Sequence, residues 1–106
     1  MNFEYEVVVT PNAQEEFDQF ILYLLLEKKN EQAVRNVLLD FKQTKDVLSR
    51  VAESIQYCED EDLRKRGYRR INFQKHRYFM LYRVVGKQVI IDDIFHELQD
   101  LRKWMN

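Results

Sequence analysis

A single cysteine, Cys58, excludes an internal disulfide and suits a reducing, cytoplasmic setting. That lone thiol and two distant histidines, His76 and His96, make a poor metal-ligand set, so no metal or other cofactor is implied. The one proline, Pro11, leaves the following fifty residues free of helix breakers, since both glycines, Gly67 and Gly86, come later. Long apolar runs are also missing. The longest, Phe20–Leu26, has seven residues, far short of the ~20 needed to cross a bilayer. Glu4 and Glu6 interrupt any early run of the kind a signal peptide needs. These absences predict a soluble, cytoplasmic protein with no membrane partner. A length of 106 residues predicts a single domain, 1–106, with one modest core.

The last absence is of acid. Between Arg64 and Ile91 there is no Asp or Glu, but nine Lys and Arg: residues 64, 65, 66, 69, 70, 75, 77, 83 and 87. Of the 17 basic residues in the chain this leaves eight, set against 18 acidic ones, so a formal net charge of -1 hides a local excess of nine positive charges. On a folded domain such segregation predicts a face suited to a polyanion. Solvation of an outer sheet face by Lys and Arg is the plainer alternative, although solvated faces usually mix both signs.

What is present reads in order as α+β: an N-terminal strand, an antiparallel helical hairpin, a three-stranded antiparallel meander and a short C-terminal helical tail. Phe3–Thr10 is the first strand. Thr10 caps a helix with Pro11 in its first position, and Glu15, Glu16 and Asp18 lie early in it, where the dipole favours negative charge. Ala13, Phe17, Phe20, Ile21 and Leu24 form its stripe, widened by Tyr23, Leu25 and Leu26, so this helix should be largely covered. Asn30 caps a second helix of about six turns, with Val34, Val37, Leu38, Phe41, Leu48, Val51, Ala52 and Ile55 in register. Gln56–Asp62 reads as an acidic loop, either solvated or screening the basic run. Strands follow at Tyr68–Phe73, Arg77–Val85 and Gln88–Phe95, separated by Gln74-Lys75-His76 and by Gly86-Lys87. Leu98, Leu101, Trp104 and Met105 give an amphipathic tail.

Alternation within the second meander strand separates Tyr78, Met80, Tyr82 and Val84 from Arg77, Phe79, Leu81 and Arg83. Packing the first set on the helices, against Phe17, Phe20, Leu38 and Phe41, leaves the second on an open face. On the strand before it, Arg69, Ile71 and Phe73 alternate with Tyr68, Arg70 and Asn72. His96, at a strand end, is the candidate titrating group near neutral pH; its plainer role is to cap the strand or bond the tail through Asp100. His76, in a turn, reads as solvated.

The succession of Val9-Thr10-Pro11, a helical hairpin, Leu63…Gly67-Tyr68-Arg69, Leu81-Tyr82-Arg83-Val84 and Ile91…Ile94-Phe95-His96…Gln99-Asp100 resembles the RelE/ParE superfamily over nearly the whole chain. These are toxins of type II toxin–antitoxin modules. The resemblance implies a small RNase-like fold, a cognate antitoxin as partner, and one of two activities. RelE-like members cut mRNA on the ribosome, whereas ParE-like members poison DNA gyrase; a degenerate member would only bind antitoxin. Fold alone does not choose among them. The basic groove favours a metal-independent, ribosome-dependent mRNA endonuclease. In that reading Arg69, turned into the groove as in family members, and Arg83 stabilise transition-state charge, and His96, near a proton-transfer histidine of some RelE-like nucleases, moves the proton. Arg70, Lys75 and Arg77 hold substrate, and Phe79 stacks on a base. The chain departs from the best-known nucleases by having Phe79 where they carry a key arginine, and Glu97 and Leu98 where they are basic. Arg77 or Arg83 is the candidate replacement for the missing charge.

Overall fold

Two side-chain caps set the boundaries of the helical hairpin. In the computed structural model, which describes residues 4–99, Thr10 Oγ1 accepts from the Ala13 N–H at 3.1 Å and starts α1, Pro11–Leu22. Asn30 Oδ1 accepts from the Ala33 N–H at 3.0 Å and starts α2, Glu31–Val51. Between them α1 continues into a π-helical turn, Tyr23–Glu27, and Lys29 reverses the chain at a positive φ of 50°. The helices form as expected, but α1 is less covered than its stripe suggested. Leu22, Tyr23, Leu25 and Leu26 are exposed; from Tyr23 on, the wider π turn breaks the 3.6-residue phase of the stripe. The acidic residues of α1 also miss its first turn, beyond which the dipole fades.

The strands are β1 (Glu6–Val9), β2 (Arg69–Asn72), β3 (Tyr78–Val85) and β4 (Gln88–His96). They build one mixed sheet in the order β1-β4-β3-β2, with β1 parallel to β4 and the other pairs antiparallel. The β3–β4 hairpin turns at Gly86, whose φ of 61° suits a tight two-residue connection. Pairing shifts at Leu81/Tyr82: Leu81 faces Asp93 and Tyr82 faces Ile91, so Asp92 is the extra residue of a bulge.

The main core lies between the sheet and the hairpin. Tyr78, Met80 and Tyr82 point into it as expected, with Phe17, Val37, Phe41, Leu48, Ala52, Phe73, Ile91 and Ile94, and Val84 packs at its margin. Phe17 and Phe41 meet with ring centroids 4.2 Å apart, and Phe41 stacks on Phe73 at 5.8 Å. Two expected α2 contacts fail: Leu38 is 45% and Val51 36% exposed. The buried stripe instead runs Val37, Asp40, Phe41, Thr44, Leu48, Ala52, so it carries an acid and a hydroxyl.

The far face of the sheet is not open. Phe79, Leu81 and Phe95 are buried there with Leu63 and Cys58, and Tyr68 packs beside them. Their cover comes from the segment expected to be an acidic loop. Asp60 caps a short helix, α3 (Glu61–Lys65), by accepting from the Leu63 N–H at 3.1 Å, and the helix presses Leu63 onto the sheet. The apolar Tyr-Phe-Met-Leu-Tyr run of β3 is thus buried on both sides, as an interior strand requires. Of the expected C-terminal tail, Leu98 is exposed and Leu101, Trp104 and Met105 lie outside the described residues, as does Phe3 of the expected first strand.

Candidate functional site

Arg83 is the best-organised of the expected site residues. The bulge turns Asp92 toward it, and Asp92 Oδ2 accepts from Arg83 Nε at 2.6 Å and from Tyr68 OH at 2.9 Å. The ion pair raises the Arg83 pKa, chiefly through its hydrogen bond to Asp92. The Tyr68 hydroxyl is pushed up first by burial and then by the bond to the carboxylate. Arg83 keeps 42% of its side chain exposed, so its outer nitrogens face solvent from a fixed position.

Arg69 stands opposite Tyr82, which puts it on the helix-covered face rather than beside Arg83. Its guanidinium donates to the backbone carbonyls of Ile55 and Glu53 and lies over the Tyr57 ring, 3.9 Å from the centroid. Because β2 starts at Arg69, the last part of β3 has no neighbour on that side. A cleft of about 390 Å³ crosses this gap and takes Arg66, Arg69 and Arg83 together, with Tyr57 and Glu53. Arg66 was not among the expected site residues.

The others fall elsewhere. Arg70 lies over the ring of Phe79, 3.7 Å from its centroid, and donates to Asn72 Oδ1 at 3.0 Å. Phe79 itself is 2% exposed, against the expectation of a stacking platform; with α3 in place and Arg70 over the ring, no base reaches it in this conformation. Arg77 is exposed in the turn just before β3 rather than in the strand. It precedes Arg83 by six residues, about 20 Å at strand rise, so the two cannot grip one phosphate.

Lys75 sits in the β2–β3 turn and lines a separate cleft with Asn36, Gln43 and His76. That turn is held by a network the sequence reading did not foresee. Asp40, 1% exposed, accepts from the backbone N–H groups of Gln74 and Lys75 at 3.0 and 2.9 Å and meets His76 Nδ1 at 2.6 Å. Burial alone would raise the Asp40 pKa, but the His76 bond and the two backbone donors hold it below its ordinary value. His76 is therefore an anchor, not a solvated turn residue.

His96 pairs with Tyr78 across the hairpin, its ring edge-on to the tyrosine at 5.2 Å, and so lies on the helix-facing side of the sheet. Its ring Nδ1 accepts from the Leu98 N–H at 3.1 Å, and its backbone N–H donates to Gln99 Oε1 at 2.8 Å. This is the strand-capping arrangement, made within the following turn; Asp100 lies outside the described residues. Five residues of strand, about 17 Å, and the thickness of the sheet separate His96 from Arg83.

An acidic pair, Glu16 and Asp93, sits between α1 and the edge of β4. Glu16 on α1 accepts from the Ile94 N–H at 3.2 Å, and Asn12 Nδ2 bridges Glu16 Oε1 and Asp93 Oδ1. Burial first, and then the Asp93 charge, push Glu16 up to about 7. Burial likewise raises Asp93. Among the described residues no three His, Cys, Asp or Glu side chains are placed to hold a metal ion, and no helix is long and apolar enough to cross a membrane.

With this geometry in place, the fold has a solved counterpart. A chain of the chromosomal ParDE TA system from P. aeruginosa is similar with a TM-score of 0.63 and 22% sequence identity, over 90% of this chain and 98% of that one. The fold is RelE/ParE-like. The mixed sheet behind a helical hairpin is therefore the architecture that the succession of short motifs implied. No family model and no curated protein sequence matches the chain.

Proposed function

We propose that the chain is the toxin of a type II toxin–antitoxin module, neutralised by a cognate antitoxin, and that it acts by binding its target rather than by cutting RNA. The ParDE-like fold and the motif succession support the first part. One observation carries the second: His96 and Arg83 lie about 17 Å apart along the sheet and on opposite faces. Metal-free RNA cleavage needs a proton-transfer group and cationic stabilisers around one phosphorus, each within hydrogen-bond reach. The expected acid–base residue is instead engaged in capping its strand. A ParE-like mode on DNA gyrase needs surface complementarity and no such constellation.

The mRNA endonuclease is the second reading, favoured by a cleft that three arginines share. The two separate cleanly when purified protein is added in parallel to a gyrase supercoiling assay and to programmed ribosomes with transcript ends mapped. The binding mode predicts arrested gyrase, intact transcripts and a His96→Ala variant that still inhibits. Cut transcripts, lost with His96→Ala while the fold persists, would overturn it.

A further inference from the structure

We infer that the outer face of the helical hairpin is a dimer interface, packed two-fold on the same face of a second copy of the chain. The inference rests on this face alone and is independent of the toxin's target. Phe17 and Phe41 turn toward the core, and Asp40 turns toward the β2–β3 connection. The sides of α1 and α2 turned away from them carry large apolar groups that stay exposed among the described residues. Leu22, Leu25 and Leu26 are 43%, 39% and 63% exposed, Leu38 on α2 is 45% exposed, and Leu39 flanks it at 53%. Apolar groups gathered in this way on a small domain mark a surface that another protein covers.

Charge makes that protein a second copy. Glu15, Asp18, Leu22 and Leu26 follow one another at three- or four-residue intervals and line one stripe of α1 and its π turn. Arg35, Leu38, Lys42 and Lys45 do the same on α2. From Pro11 to Glu27 there is no Lys or Arg, whereas α2 exposes Arg35, Lys42 and Arg50 against Glu31 and Asp46, with Lys45 lying over the Phe41 ring. Glu15, Asp18, Lys42 and Lys45 take part in none of the ion pairs among the described residues. The chain reverses at Lys29, and Asp18 stands 11 residues before it and Lys42 13 after it, so the two lie at one level of the hairpin. A two-fold axis along the hairpin therefore sets the α1 stripe of each copy against the α2 stripe of the other. Leu22 and Leu26 then meet Leu38, while Glu15 and Asp18 meet Lys42 and Lys45. The product is an antiparallel four-helix bundle. Two helices side by side, each about 10 Å across and about 25 Å long, present roughly 500 Å² in projection. The relief of their side chains brings this toward the ~800 Å² that each partner of a standard interface contributes.

Sedimentation velocity on the purified full chain tests it. The mass should move from 13.1 kDa toward twice that value as concentration rises from about 1 to about 100 μM, the weak end of affinity for an interface of this size. Leu26→Lys, at an exposed position, should weaken the dimer at least about tenfold by placing a cation in its apolar centre. Val85→Lys, at a side chain 52% exposed beside the Gly86 turn, should leave it unchanged. Asp18→Lys and Lys42→Asp should each weaken it by about as much as Leu26→Lys, because each sets like charges opposite one another. Mixed in equal amounts, these two variants should form a heterodimer, since every exchanged charge then faces its opposite; loss of folding in either variant would not give that rescue. A chain that stays at 13.1 kDa throughout overturns the assignment and leaves the face to a different protein. So does a dimer indifferent to Leu26→Lys or to both charge reversals, an equal loss from Val85→Lys, or a mixture of the two charge variants that fails to associate.

Discussion

Replacing Asp40 by alanine tests whether the β2–β3 turn is held to α2 by one carboxylate. The side chain is buried and accepts from two backbone N–H groups and from His76, with Thr44 Oγ1 at 3.4 Å. Breaking a buried charged pair from one side typically costs ~3–5 kcal/mol. Gln74 and Lys75 are exposed, so their freed N–H groups regain water and the low end applies, about 3 kcal/mol. At ~4–8 °C per kcal/mol for a domain near this size, Asp40→Ala should lower Tm by at least about 12 °C at pH 7. Asp40→Asn keeps an acceptor but loses the charge, and should fall roughly midway. The effect also has a pH signature. The folded-state pKa lies below the ordinary 3.8, so the stabilisation is complete above that value and is lost as pH falls through the depressed pKa. Denaturant melts at pH 7, 5, 4 and 3 should show the gap between wild type and Asp40→Asn closing only at the acid end. A Tm within 2 °C of wild type for Asp40→Ala, or a gap constant down to pH 3, would refute the anchoring role.

Three further outcomes are expected. Glu16→Gln should stabilise the protein by on the order of 1 kcal/mol at pH 8, after discounting for partial exposure. It should do nothing at pH 4, because a carboxyl raised to about 7 loses its folded-state advantage as pH climbs from the ordinary 4.5 through that value; paired thermal melts read it directly. Lys29→Gly removes a side chain from a φ of 50°, relieving ~1–2 kcal/mol of left-handed strain against ~0.4–1 of added chain entropy, so denaturant midpoints should show a net gain of about 0.5 kcal/mol. Phe41→Ala empties the space between Phe17 and Phe73 and should cost ~3–5 kcal/mol by the same measurement.

Much of the fold was legible because its signals are local. Thr10-Pro11 and Asn30 cap helices through their own side chains, and Gly86 supplies a turn few residues other than glycine fit. The Tyr78, Met80, Tyr82 alternation needs only the strand period. What misled was reading charge along the chain rather than in space. The stretch Arg64–Ile91 contains no acid, yet the fold brings acids to it: Glu61 pairs with Lys65 at 3.1 Å, Asp92 with Arg83, and Asp40 with His76. Two clues were present. Asp40 breaks the apolar stripe of α2 between Val37 and Phe41, and an acid in that position needs a buried partner. Asp92-Asp93 interrupts the β4 alternation, as a bulge does. Helix α3 spans five residues, too short for periodicity to announce it, and without it the far face of the sheet looked open.

That cover has a mechanical consequence for the site. To act on one phosphorus, Arg83 and His96 would have to close a separation of about 17 Å and come to the same face. Both sit on strands paired from Val85/Gln88 to Tyr78/His96, with the one bulge at Asp92 between them, and the far face between them is filled by Phe79, Leu81, Phe95 and Leu63. Uncovering it means lifting α3 and exposing several large apolar side chains at ~1.5–3 kcal/mol each. That sum reaches the whole stability of a small domain, ~5–15 kcal/mol. Arg66, Arg69 and Arg83 need no such rearrangement, because they already share a cleft open to solvent. The surface can therefore engage a charged partner as it stands, whereas a cutting constellation built on His96 would have to be assembled against the packing of the sheet.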